Sequence, residues 1–482
     1  MIEGLEKRAG EFFGHPKGLF VLFFSELWER FSFYGMRALL VLYMTKALQY
    51  ADERAYGIYG AYVGFVYATP LIGGMLADRF LGARRAIVIG GILMAFGHFS
   101  MAIEHPVFFF GAMALIIAGN GFFKPNISTL VGSLYKRGDA RRDGAFTIFY
   151  MGINIGAGLA PLLCGYFGER LGWHWGFTLA GVGMLVGLSV FLWGQHLIGE
   201  FGRPPRPEAL REKLAGIPKP FVLYAAILLF VPFAAYMLTR PAWVQTGVYA
   251  IAPLFVLYVV FEALRSSPEE RGRLFVILVL ILFSMLFWAS FEQAGSSMNI
   301  FTDRHVDRHV FGWEVPTTWF QAVNPAFIIL LAIPFSTLWV RLGRAGRNPS
   351  SPVKFGFGLL QLALGFIAMV VAASRASDNG SSHLFWLVLA YFLHTTGELC
   401  LSPVGLSTVT KLSPVRLVGL MMGMWFLSSA FAGVLSGQIA ALTGAEAGYQ
   451  RVFQMIVYFA GGAGILLLLL SPFLKKLEYG AE

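Results

Sequence analysis

Between Phe20 and Thr45 the chain runs almost without a break in apolar residues, yet this stretch carries Glu26, Glu29, Arg30 and Arg37. A charged side chain costs about 2.5–3.5 kcal/mol at the centre of a membrane helix on insertion scales, so four in one span require partners and a purpose. At 3.6 residues per turn, positions 26, 30, 33 and 37 share one helical face and Glu29 borders it. The charges thus form a stripe about 16 Å long at ~1.5 Å of rise per residue. Such a stripe is expected to line a polar cavity and not to face lipid.

The rest of the chain supports a membrane setting. Of its 482 residues, 57% are hydrophobic and only 13% charged, about half the charged share of an average soluble protein. Apolar runs of about 20 residues recur throughout, which predicts an all-α, polytopic membrane protein. Fourteen spans are expected, near 18–46, 56–77, 85–103, 106–133, 143–169, 174–197, 218–239, 245–264, 273–301, 316–341, 353–374, 383–411, 414–442 and 449–474. Alternate loops then segregate the basic residues. One side holds Arg79, Arg84 and Arg85, Lys136, Arg137, Arg141 and Arg142, Arg341, Arg344, Arg347 and Lys354, and both termini. By the positive-inside rule that side is cytoplasmic. The net charge of +10 therefore reports topology and implies no nucleic-acid partner. The opening residues, with Glu3, Glu6, Lys7, Arg8 and Glu11, lack a cleavable-signal pattern. Cys164 and Cys400 each fall inside a span and offer neither a disulfide framework nor zinc spacing.

One long polar break, 198–219, contains Arg203, Pro204, Pro205, Arg206 and Pro207, then Glu208, Arg211, Glu212 and Lys213. It predicts three parts: a six-helix bundle over 1–197, a linker with a two-helix insert over 198–271, and a second six-helix bundle over 272–482. Internal similarity agrees, because Gly119 and Pro125 recur as Gly397 and Pro403 at the same offset. Halves related in this way are a transporter signature.

Three further charges lie at membrane depth: Lys124, Glu292 and Glu398. Four carboxylates thus face three cations, leaving one acid over. A desolvated carboxylate without a cation tends to hold a proton, which suits a proton-coupled carrier. Static ion pairs are the competing explanation, but buried pairs contribute little net stability.

At these residues the chain resembles the proton-dependent oligopeptide transporter family of the major facilitator superfamily. Glu26-Leu27-Trp28-Glu29-Arg30-Phe31-Ser32-Phe33-Tyr34-Gly35 is similar to that family's ExxERFxYYG motif. The segments 119–126, 149–154, 287–293 and 397–407 are similar to its further signatures, and 74–85 carries the superfamily's loop motif. The resemblance implies a major facilitator fold and a symporter importing di- and tripeptides with protons, with no cofactor beyond the proton, acting as a monomer in the cytoplasmic membrane. Residue by residue it implies proton coupling by Glu26, Glu29, Arg30 and Glu292, and gate pairs Arg37–Glu292 and Lys124–Glu398. It implies peptide contacts from Arg30, Tyr34, Arg37, Tyr67, Lys124, Tyr150, Asn154, Trp288, Phe291, Asn324, Glu398, Ser402 and Trp425. Two positions depart from the family: Phe33 replaces its first motif tyrosine, and Gly60 stands where animal members carry a histidine.

Carriage of nitrate or another small anion is the main rival, though mixed cations and carboxylates fit a zwitterion better. A membrane enzyme would need a catalytic cluster, and a non-transporting sensor would not need paired gates. The sequence Asp303-Arg304-His305-Val306-Asp307-Arg308-His309 admits a metal site, but a solvated turn with internal ion pairs is the preferred expectation.

Overall fold

Long helices fill the computed structural model, which describes residues 10–136, 139, 141–205, 208, 212–214, 216–444 and 448–478. Glu3, Glu6, Lys7, Arg8, Arg137, Arg206, Pro207 and Arg211 lie outside the described residues. The helices are α1 (Lys17–Lys46), α2 (Asp52–Leu76), α3 (Ala83–Met101), α4 (Pro106–Ser133), α5 (Arg141–Leu171) and α6 (Trp173–Gly194). Then follow α7 (Lys219–Leu238), α8 (Pro241–Leu264), α9 (Pro268–Phe291) and its short continuation α10 (Ser297–His305). The last five are α11 (Val323–Arg344), α12 (Ser351–Asn379), α13 (Leu384–Leu412), α14 (Val418–Ala441) and α15 (Gly448–Leu477). With α9 and α10 as one span, fourteen spans emerge among the described residues, as the apolar runs predict. Twelve of them are long and apolar enough to cross a membrane on length and composition alone. The other two are α1, with its mid-span charges, and α3, which opens on Arg84 and Arg85 and carries His98.

Proline and glycine mark several ends. Pro106, Pro241 and Pro268 open α4, α8 and α9, where the missing N–H costs nothing, and Ser267 accepts the Glu270 backbone N–H. Gly380, in the left-handed region at φ 80°, ends α12.

The chain forms two compact units, 1–40 with 65–239 and 41–64 with 240–482. In the second, one continuous apolar core runs from Val259 to Leu474 through α9, α12, α13, α14 and α15. The repeated glycines seen in the sequence have a packing cause in each unit. A Cβ on Gly119 of α4 would lie 2.6 Å from the Gly90 carbonyl oxygen of α3, and one on Gly90 would lie 2.6 Å from the Gly119 oxygen. In the second unit Gly397 of α13 and Gly358 of α12 meet the same way, at 2.7 and 2.9 Å. Small residues let backbones approach this closely where apolar burial supplies no drive against lipid. Gly90→Leu, Gly119→Leu and Gly358→Leu are therefore expected to destabilise by about 1–3 kcal/mol or more through overpacking. Thermal unfolding in detergent checks this, with Gly247→Leu as the neutral control, since nothing lies within 4 Å of a Cβ there.

Two local departures from regular helix were not legible in the sequence. A π-turn, Ala77–Leu81, extends α2 through Asp78 and Arg79 before Gly82 turns the chain at φ 74°. The span expected to run unbroken over 273–301 is interrupted by a 3₁₀ turn, Glu292–Gly295. Asp303–His309 is an ion-paired segment. Arg304 clasps Asp52 at 2.7 and 2.8 Å, and Asp303 receives Lys46 at 2.6 Å. Arg308 reaches Glu314 at 2.7 Å. Hydrogen bonds from the His309 backbone and ring hold the Asp307 carboxyl below its usual range.

Candidate functional site

In the first unit the charges of α1 converge on one guanidinium. Arg30 Nε donates to Glu29 Oε2, and Nη2 donates to Glu29 Oε1 at 2.5 Å. Glu26, one turn earlier on the same face, places Oε1 3.4 Å from Arg30 Nε. Its Oε2 is buried without a hydrogen-bond partner. Two carboxylates thus lie against one guanidinium. Asn120 of α4 donates its amide to Glu29 Oε1 at 3.4 Å, a contact that depends on packing and was not foreseen.

Glu26, Glu29 and Arg30 are 1%, 0% and 2% exposed, away from the outer surface, while Arg37 and Tyr34 are only partly covered. Aromatic rings complete the surroundings. The Phe33 ring lies 5.1 Å and the Tyr34 ring 5.9 Å from the Arg30 guanidinium carbon, and Arg37 lies 5.7 Å from Tyr34. Phe33, although lacking the family's hydroxyl, still offers Arg30 a cation–π face. On α4, Lys124 Nζ stands 4.8 Å from the centre of the Tyr67 ring. Asn154 of α5 is buried and donates to the Tyr150 carbonyl at 3.0 Å, while the Tyr150 side chain is exposed.

In the second unit, the polar centre is on α11 and α13. Asn324 donates to Glu398 Oε2 at 2.9 Å and to Thr395 Oγ1 at 3.0 Å. Both donations come from one amide nitrogen, fixing the amide so that its carbonyl oxygen points elsewhere. Glu398 is 8% exposed and one turn beyond His394, a buried ring 4.7 Å from Phe366 and 6.3 Å from Phe291. Phe291 packs edge-on against Trp288 at 5.3 Å. Glu292 begins the 3₁₀ turn and receives the Tyr59 hydroxyl at 3.3 Å. Gln293, next in the turn, donates to the Ser436 carbonyl at 3.0 Å and accepts from Ser297 at 2.6 Å. A 3₁₀ interruption within a span, held by side chains on both sides, has the character of a hinge. Trp425 of α14 is buried against Phe355 and above Gly405, and Ser402 is half-buried on α13.

The structure therefore brings together Glu26, Glu29 and Arg30, pairs Lys124 with Tyr67 and Arg37 with Tyr34, and joins Asn324 to Glu398. It does not bring Asn154 to the Arg30 cluster through any of these contacts. Tyr59, Asn120, Thr395 and His394 were missed. Their only sequence signal is a polar or imidazole group inside an apolar run. Gly60 has a clear cause. A Cβ there would fall 2.9 Å from the Gly437 Cα of α14, so no larger side chain fits. No group of three or more His, Cys, Asp or Glu side chains suited to a metal occurs among the described residues.

The sequence profile of the POT family matches residues 84–454. Peptide transporter YePEPT of Yersinia enterocolitica is 41% identical over 456 residues, covering 89% of each chain. The di-/tripeptide transporter of Lactococcus lactis subsp. cremoris is 35% identical, covering 98% of this chain and 99% of that one. Among solved structures, a peptide transporter POT in complex with sulfate superposes with a TM-score of 0.85 at 38% identity, covering 98% and 99% of the two chains. A POT family transporter in complex with a thioalcohol-conjugated peptide gives 0.85 at 32% identity, covering 96% and 98%.

Proposed function

This chain belongs to the proton-dependent oligopeptide transporter (POT) family, and on that premise we propose that it imports di- and tripeptides in symport with protons by alternating access. It is a multi-pass membrane transporter of the major facilitator type, not an enzyme. The observation that carries the proton step is the shared guanidinium: Arg30 is forked onto Glu29 while Glu26 keeps one oxygen unpartnered. A proton on Glu29 or Glu26 removes the excess negative charge and frees Arg30 for a peptide carboxylate. Proton and peptide then act on the same network, so the fully loaded carrier reorients and the half-loaded one does not.

A peptide substrate has fixed termini and variable side chains. In this reading Glu398, held by Asn324, receives the ammonium, and Arg30, Arg37 and Lys124 receive the carboxylate. Tyr34, Tyr150, Asn154 and Ser402 serve the backbone, while Tyr67, Trp288, Phe291 and Trp425 give adaptable apolar walls. Arg37 with Glu292, and Lys124 with Glu398, open and close the two ends. Glu292 also takes part in proton coupling, from its place at the head of the 3₁₀ turn. The same reading has two six-helix bundles, over 1–197 and 272–482, with residues 198–271 as a linker and peripheral helix pair. It places a monomer in the cytoplasmic membrane with both termini inside, using the proton as coupling ion and no cofactor.

Uptake of labelled dialanine into liposomes, with and without an inward proton gradient, tests the reading. Saturable uptake driven by the gradient is expected, and gradient-independent uptake or none would overturn it. Lys124→Ala and Arg37→Ala are expected to weaken peptide affinity about tenfold or more, the scale of a lost charge-assisted hydrogen bond. C-terminally amidated analogues, which lack the carboxylate but keep the ammonium, should lose much less. Equal losses for both ligands in a binding titration would remove these residues from the carboxylate clamp.

A further inference from the structure

Within the second unit, α8 is fully buried at two positions toward its ends, and near its middle Phe255 reaches the core. Its buried residues are Val244 and Val259, fifteen positions apart, and near the first the Tyr249 hydroxyl is hydrogen-bonded to Gln438 of α14. Between these anchors, with Pro253 at the centre of the helix, α8 stands away from α9 and α14. The gap is a cavity of about 430 Å³ lined by Ala252 and Phe255 of α8, Leu278 and Met285 of α9, and Met424 and Phe431 of α14, among others. It lies midway along both α8 and α9, hence near the bilayer centre, and it opens to the side.

The lining decides what can fill it. Its surface is almost wholly apolar, and its two polar groups are already engaged: Ser428 donates to the Trp425 carbonyl at 2.7 Å, and Tyr249 is held by Gln438. Water needs two to four polar partners and finds none. An empty gap of this size forfeits dispersion contacts on every wall. The opening is continuous with the outward face of α8, where Leu254, Leu257 and Tyr258 are exposed to the hydrocarbon that surrounds any membrane span.

We infer that the space between α8, α9 and α14 is a binding site for one acyl chain of a membrane phospholipid, whose methyl end lodges under α8 at mid-bilayer. The occupant backs α14 at Met424, immediately before Trp425, and α9 at Met285, two turns before the 3₁₀ interruption at Glu292. Peripheral helix α8 is then a clasp holding hydrocarbon against two helices of the second unit's core. The assignment rests on membrane insertion and packing alone, independently of the substrate.

Reconstitution of the full chain with a phosphatidylcholine bearing a diazirine near the methyl end of one chain tests it. After irradiation, adducts mapped by peptide mass spectrometry are expected to concentrate on Phe255, Met285, Met424 and Phe431, above the level at the freely exposed Leu330 and Ile333 of α11. Ala252→Phe, which fills the cavity, should lower the adducts at Met285 and Met424 to that outward-facing level and leave Leu330 and Ile333 unchanged. Uniform labelling of the wild-type chain, or labelling that spares the cavity, would overturn the inference even if the variant fails to fold. Exclusion of label accompanied by chain-to-chain crosslinks through a Val256→Cys variant would assign the space to a second copy and would equally overturn it.

Discussion

Glu29→Gln is expected to abolish accumulation of dipeptide against its gradient while leaving exchange of labelled for unlabelled peptide. In the wild-type structure both Glu29 oxygens accept from Arg30, and Asn120 adds a third donor to Oε1. A glutamine keeps the shape and one acceptor, but it removes the charge and cannot take up or lose a proton. Arg30 is then left with Glu26 alone, a one-to-one pair, and the network is fixed in the equivalent of its protonated state. Peptide can still reach the guanidinium, so exchange persists; no proton is carried back, so the gradient does no work. Removing one partner of a buried pair costs about 3–5 kcal/mol when the other is left uncompensated. Glu26 lies 3.4 Å from the same nitrogen and limits that loss, so the variant should remain folded and monodisperse. Glu26→Gln should be milder, since the Arg30–Glu29 fork survives it. Proteoliposome uptake with an imposed proton gradient, run beside counterflow, separates the two modes. A Glu29→Gln carrier that still concentrates peptide would refute the assignment of coupling to this pair.

The sequence made the span number and the Arg30 cluster readable for the same reason. In an apolar span a charge is so costly that its presence is informative, and helical spacing alone puts 26, 29 and 30 together. The paired glycines were readable as repeats, Gly119 with Gly397, although the carbonyl contacts to Gly90 and Gly358 that explain them needed coordinates. The interruptions were not readable. Glu292–Gly295 lacks proline, and its single glycine is no stronger a signal than the many that lie within unbroken helix. What holds the turn comes from elsewhere in the chain: Tyr59 to Glu292 and Ser436 to Gln293. Asn120 and Thr395 were missed for the same reason, because a lone polar residue in a span gains its meaning from the helix packed against it.

Glu398→Gln should raise the half-saturating concentration of a zwitterionic dipeptide about thirtyfold, with little change in the rate at saturation. Asn324 spends both amide protons on Glu398 and Thr395, which fixes one carboxylate oxygen and leaves the other available to a cationic group. An ammonium on a buried carboxylate is a charge-assisted contact, stronger than a neutral hydrogen bond, and about 2 kcal/mol of such binding is a factor of about thirty. The glutamine keeps the side-chain volume, but its single oxygen cannot serve both sides: accepting from Asn324 it turns an NH₂ toward the ammonium, and facing the ligand it offers only a neutral oxygen and sets its NH₂ against the Asn324 amide. The diagnostic arm is an N-acetylated dipeptide. It has no ammonium, so its weak binding should change little between wild type and variant, and the two affinities for the parent and acetylated peptides should converge. If both ligands lost affinity equally, Glu398 would be a structural partner of Asn324 and Thr395, and the ammonium would have to be held elsewhere. Asn324→Ala gives the complementary result: it frees Glu398 from its tether without removing its charge. Affinity should then fall by a smaller factor, because orientation is lost while the attraction between ammonium and carboxylate remains.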